Sequence, residues 1–195
     1  MAAWGRIADM TRTQPSPIAS VQWQPAERLG QLPVDARLRP WLIGSGLLTQ
    51  RLKAACGGRF VLRLVDLWTG LLSGAHKSAL RIEDNAGLFR ETEMCCGEHV
   101  WVFGQTVVPD STLTLHPWLA ELGDSALSET LSDLSGVERG AYEYAWLPAE
   151  EPATARALRD SKIKPAGLWA RRARIHLHRA PMLTQEFFLP SMGRV

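Results

Sequence analysis

Alternating apolar and polar positions mark several stretches of the chain as strands. "RFVLRLVDLW" is rich in β-formers, is preceded by glycines, and sets Phe60, Leu62 and Leu64 on one face. After a polar loop containing Gly74 and Gly87, "GLFRETEMCC" and "HVWVFGQTVVP" form two alternating runs joined at Gly97-Glu98, the pattern of an antiparallel hairpin that Pro109 ends. "RARIHLHRAPMLTQEFFLP" predicts a second hairpin, with Ile175 and Leu177 alternating against Arg174, His176 and His178. Helical spacing occupies the gaps. "PVDARLRPWLIGSGLLTQRLKAACGG" reads as helical segments punctuated by Pro40 and Gly46 and closed by Gly57-Gly58, with Asp35 as an N-cap. "LHPWLAELGDSALSETLSDLSG" places leucines at helical intervals in two pieces broken at Gly123. Strands, helices and strands again predict an α+β domain on an antiparallel sheet.

Composition agrees with one folded unit. The 195 residues are 46% hydrophobic and 22% charged, enough to bury a core in a single domain. Residues 1–25 are Pro/Ser/Thr-rich and aperiodic, which predicts a loosely ordered arm ahead of a domain over 26–195. The apolar runs fall far short of the roughly 20 residues that span a bilayer. Asp9 and Arg12 interrupt any secretory core in the leading segment, so the expected location is the cytoplasm without stable membrane insertion. Cys56, Cys95 and Cys96 are an odd number with no C-x-x-C, and are expected to be reduced, mostly buried thiols.

The formal net charge of +2 conceals an asymmetry. Glu121 to Glu151 carries eight acidic residues and one basic, Arg139, while Arg156 to Arg179 carries eight basic and one acidic, Asp160. Such a basic segment either attracts an anion or is a solvated face balanced by its acidic neighbour. "RRAR" from Arg171 to Arg174 lacks the aromatic interleaving of a nucleic-acid module, so no nucleic-acid partner is expected. His176 and His178 would share one face of a strand, but no third ligand has recognisable spacing and no metal is expected. Ser111, His116 and Asp133 come without a nucleophile elbow, and no glycine-rich phosphate loop follows a strand.

Two charges inside strands carry more information. Alternation puts Arg90 on the face of Leu88 and Met94, and Glu186 on the face of Thr184 and Phe188. A buried guanidinium and a buried carboxylate are costly unless paired with each other or with a ligand of matching charge. One reading is a direct Arg90/Glu186 salt bridge. In the other, Arg90 grips a substrate carboxylate while Glu186 holds a hydroxyl in an apolar pocket, where burial would favour the protonated acid.

"WLIGSGLLTQRL" (Trp41 to Leu52), "LFRETEM" (Leu88 to Met94), "WVFGQTVVP" (Trp101 to Pro109) and "GLWARRARIHLHRAPMLTQEFFLP" (Gly167 to Pro190), in that order, resemble the chorismate pyruvate-lyases over about Trp23 to Pro190. The joint occurrence of G-L-W-x-R-R, T-V-V-P and E-x-F-L-P is what makes the resemblance specific. It implies one domain with a six-stranded antiparallel sheet and helical flaps over an internal site. It further implies cofactor-independent cleavage of chorismate to 4-hydroxybenzoate and pyruvate in ubiquinone synthesis, by a monomer. By motif position Arg90 would bind the ring carboxylate and Glu186 the 4-hydroxyl, as catalytic residues, with main-chain contacts at Leu48 and Leu127. The same fold resembles the ligand-sensing domains of transcription regulators, which makes a non-catalytic binder of small aromatic acids the alternative. Three positions depart from the family pattern. Gln105 stands where an arginine is usual, Gly46-Leu47-Leu48-Thr49 replaces G-S-L-T, and Ala126-Leu127-Ser128 replaces P-L-G. If Gln105 lies in the pocket, Gln105→Arg is expected to tighten chorismate binding.

Overall fold

The computed structural model describes residues 21–44 and 46–193; residues 1–20 of the expected leading arm lie outside this range. Eight strands form one antiparallel sheet: β1 (Gln24–Pro25), β2 (Phe60–Leu71), β3 (Ala86–Cys96), β4 (His99–Pro109), β5 (Val137–Arg139), β6 (Glu143–Pro148), β7 (Gly167–Leu177) and β8 (Ala180–Phe188). Their order is β1-β6-β7-β8-β4-β3-β2, with β5 also paired to β7. The expectation of six strands is thus short by two, and β1 and β5 are only two and three residues long.

Both expected hairpins are present, each closed by a turn that needs left-handed backbone. Gly97, at φ 60°, turns β3 into β4. His178 and Arg179, at φ 48° and 75°, turn β7 into β8 as the two central residues of a two-residue loop. His178 therefore leaves the strand, and its ring stacks on His116 with centroids 6.3 Å apart. The expectation that His176 and His178 share a strand face is corrected accordingly.

Six short helices cover the sheet: α1 (Arg39–Ile43), α2 (Leu48–Cys56), α3 (Gly74–Leu80), α4 (Asp110–Leu115), α5 (Leu127–Ser132) and α6 (Pro152–Ala157). On one face, α1 and α2 bury Leu42, Leu48 and Leu52 against Val102, Trp169 and Phe188, and α5 buries Leu127 and Leu131 against Leu88, Ile175 and Met182. On the other, α6 packs Ala153 and Ala157 on Phe103 and Phe187, and α3 packs Leu80 on Phe89 and Val107. Apolar burial of this kind contributes about 25 cal/mol per Å² and makes the sheet two-sided.

Two local expectations change. The polar loop after β2 contains α3, capped reciprocally by Ser73 and His76. Asp35 accepts from the Arg37 N–H at 2.7 Å in a turn ahead of α1, whereas the residue preceding that helix is Leu38, with no side-chain cap.

Candidate active site

Register fixes which strand side chains meet. Thr92, Gly104, Glu186, Arg171 and Tyr144 stand in one row across β3, β4, β8, β7 and β6. Arg90, Thr106, Thr184 and Ala173 form the next row. Both rows face α2 and α5. Gly104 keeps the floor open opposite Glu186, since a Cβ there would come within 2.9 Å of Thr92 Oγ1.

Arg90 is 5% exposed. Its Nη2 donates to the carbonyls of Gly123 and Ser125 at 2.7 and 2.8 Å, while Nε is buried with no partner among the described residues. The segment it holds is also anchored to β2: a bulge between Leu64 and Asp66 frees the Leu64 N–H, which donates to Asp124 Oδ1 at 2.6 Å. Burial lowers the Arg90 pKa, against an opposing pull from Asp124.

Glu186 does not pair with Arg90. Its partner is Arg171, fully buried on β7, whose Nε donates to Glu186 Oε2. Arg171 Nη1 reaches the carbonyls of Leu42 and Trp41 at 2.8 and 3.2 Å, and its guanidinium lies 4.3 Å from the Tyr142 ring. Burial alone would lower the Arg171 pKa, but Glu186 and Tyr142 outweigh it and the net direction is upward. The direct Arg90/Glu186 salt bridge is thereby excluded. Glu186 instead stands beside a buried counter-charge, Arg171.

Between the two rows and the helices lies a cavity of about 50 Å³. It brings together Arg90, Glu186 and Leu127, three of the four expected site residues. Leu48 is buried one residue before Thr49, which does line the cavity. Leu48 and Leu127 open α2 and α5, neither of which has a side-chain cap, so early backbone N–H groups at both helix starts remain available. The two helices are latched together by Thr49 Oγ1 and Ser128 Oγ at 3.1 Å and by Lys53 and Glu129 at 2.7 Å. Thr92, Gly104, Arg139 and Glu186's partner Arg171 were not singled out for this site from sequence; strand alternation could flag Thr92 as a face-mate of Arg90 but not the others.

Gln105 borders the cavity through β4, yet its amide bonds on the far side of the sheet. There Gln105 Nε2 donates to Glu91 Oε1 at 2.9 Å, Gln185 Nε2 donates to Gln105 Oε1 at 2.9 Å, and Arg156 Nε donates to Glu91 Oε1 at 2.7 Å. Glu91 is completely buried, and burial raises its pKa against the opposing Arg156 and Gln105.

Part of the basic segment is paired: Arg171 with Glu186, Arg172 with Glu143 at 2.7 Å and Arg156 with Glu91 at 2.7 Å, with Arg159 and Asp160 paired at 3.0 Å on the surface. Ser111, His116 and Asp133 make separate contacts, with Asp84, His178 and Ser132. The cysteines are buried thiols, and burial, together with a hydrogen bond that the Cys56 thiol donates to Cys96, pushes Cys56 up to about 12. A larger groove of about 700 Å³ runs past Trp41, Trp146, Trp169 and Met192, with Asp35 and Arg37 as its charged lining. It contains no buried charge, so the smaller cavity with Arg90 and Glu186 is the candidate site.

An antiparallel sheet enclosing an arginine and a glutamate under two helices defines an α+β protein built to hold a small polar ligand. The chorismate lyase family matches residues 18–193. "Probable chorismate pyruvate-lyase" of Nitrosospira multiformis is 31% identical over 173 residues, covering 87% of this chain and 93% of the relative. The protein of the same name from Pseudomonas aeruginosa is 33% identical over 172 residues, covering 87% and 92%. The chain belongs to the chorismate lyase family. Solved structures extend the likeness of fold alone. The C-terminal domain of the histidine utilization repressor from Pseudomonas syringae has TM-score 0.56 at 13% identity, covering 70% of this chain and 96% of that one. The effector domain of PhnF from Mycobacterium smegmatis has TM-score 0.53 at 14% identity, covering 76% and 91%. No helix among the described residues is long and apolar enough to cross a membrane.

Proposed function

We propose that this cavity binds chorismate and eliminates its enolpyruvyl side chain, giving 4-hydroxybenzoate and pyruvate. The observation that carries the reading is the unmet Arg90 Nε beside a cavity that Glu186 also lines. A carboxylate satisfies a guanidinium donor with a charge-assisted bond, and such a bond is among the stronger that a site can make. Arg90 takes the ring carboxylate, Glu186 holds the 4-hydroxyl, and backbone N–H groups at Leu48 and Leu127 complete the polar contacts.

In the reaction the C3–O ether bond breaks, its electron pair leaves with enolpyruvate, and the C4 hydrogen departs as a proton. A C3–C4 double bond completes the aromatic ring, and enolpyruvate takes up a proton to become pyruvate. Aromatisation supplies the driving force and no electron is gained or lost, so the protein's task is to orient and desolvate without a cofactor. Glu186, fixed by Arg171, orients the hydroxyl on the carbon that loses its proton.

Ligand pockets usually exceed ~300 Å³, so entry requires α2 and α5 to part. In this reading those helices are the flaps, held shut by the Thr49/Ser128 and Lys53/Glu129 contacts. The proposed enzyme acts in the cytoplasm as a monomer in ubiquinone synthesis, a reading that membership of the family supports.

The test mixes purified full-length protein with chorismate and resolves products by chromatography, with Arg90→Ala alongside. Equimolar 4-hydroxybenzoate and pyruvate are expected, reduced at least a hundredfold in the variant. Binding of 4-hydroxybenzoate by a folded wild type that leaves chorismate intact would overturn the reading.

A further inference from the structure

Two arginines line the cavity, and only one has been given a role. Arg90 is buried, whereas Arg139 on β5 is exposed at the rim. Arg139 has no carboxylate partner among the described residues; its Nη1 donates to the Tyr142 hydroxyl at 2.8 Å. Tyr142 in turn lies 4.3 Å beneath the guanidinium of Arg171, which is bonded to Glu186. The Arg139 side chain is therefore drawn toward the Glu186 end of the cavity, away from its own register partner Ile175.

The charges inside the cavity are unevenly met. Glu186 is neutralised by Arg171, and Arg90 is free to meet one carboxylate, which leaves Arg139 as an uncommitted cation at the mouth. Chorismate carries a second carboxylate, on the enolpyruvyl group at C3, next to the carbon whose hydroxyl faces Glu186 in the reading above.

We infer that Arg139 receives the enolpyruvyl carboxylate and is the residue by which the site distinguishes its dianionic substrate from its monoanionic aromatic product. The inference rests on the proposed lyase reading. Releasing Tyr142 costs one exposed hydrogen bond and a ring contact at 5.7 Å, and the guanidinium gains a charge-assisted bond to carboxylate. 4-Hydroxybenzoate has no such group, so Arg139 holds chorismate and contributes nothing to holding the aromatic product.

The experiment compares full-length wild type, Arg139→Gln and Arg139→Lys for the KM of chorismate and for the inhibition constant of 4-hydroxybenzoate. Expected is a rise in KM of about tenfold for Arg139→Gln, a smaller rise for Arg139→Lys, and a 4-hydroxybenzoate constant within about twofold of wild type for both. Arg139 is exposed, so neither substitution is expected to disturb the fold, and an unchanged melting temperature checks this. If KM and the inhibition constant rise together, or if neither moves, the inference is overturned. Failure of the lyase reading is separate, since it would be seen as a wild type without turnover.

Discussion

Arg171 and Glu186 are register partners on adjacent strands, and the same guanidinium that holds the carboxylate also reaches the last carbonyls of α1. One buried cation therefore ties the candidate site acid to the segment that leads into α2. Removing one partner of a buried pair leaves the other charge uncompensated and typically costs about 3–5 kcal/mol. Arg171→Met is expected to lower the unfolding free energy in urea by that order. Because the two residues share one interaction, the double variant Arg171→Met/Glu186→Met should lose clearly less than the sum of the single variants. Additive losses would show that the pair is not a coupled unit.

Gln105 leads to a different expectation from the one its motif position suggests. Its amide faces Glu91 and Gln185 across the sheet from Arg90 and Glu186, so an arginine there would add a cation beside Glu91 and Arg156. Glu91 Oε2 is buried without a partner among the described residues and would accept from it. Gln105→Arg is accordingly expected to leave the KM for chorismate within about twofold. A drop well beyond that would put the side chain in the cavity after all. Gln105→Leu, by contrast, strips a hydrogen bond from a buried carboxyl and should cost about 1–3 kcal/mol of stability, read by urea denaturation.

Much of the sheet could be read from alternation because each long hairpin buries at least one face, which makes a one-residue slip costly. The site was legible only in part. Alternation places Arg90 and Glu186 on faces, but it does not say that their strands are separated by β4, or that their rows are offset. Arg171 is 15 residues from Glu186 and becomes its partner only through the β7/β8 register, which a His178-Arg179 turn sets without the usual Asn-Gly signal. Helix α3 was hidden for a related reason: its capping box uses histidine where glutamate or glutamine is the recognisable residue. Arg139 is harder still, a lone cation in an acidic stretch on a three-residue strand.

That capping histidine makes stability depend on pH. His76 Nδ1 accepts from the Ser73 N–H at 3.3 Å, and its ring packs edge-on to Phe89. Burial first, then the nearby Arg172 and Arg156, push its pKa from 6.5 down to about 4. The unfolded chain therefore binds a proton at His76 through the interval from about pH 6.5 to 4, while the folded chain does not. Stability then falls as pH falls across that interval, and is unaffected by this group above it. The shift corresponds to at most about 3 kcal/mol lost by pH 4. Protonation would also cost Nδ1 its role as acceptor, so α3 is where the loss should begin. Urea midpoints measured at pH 7, 5.5 and 4.5 should decline more steeply for wild type than for His76→Gln. Parallel declines would mean that His76 titrates alike in the folded and unfolded chain, and that the capping contact does not hold it neutral.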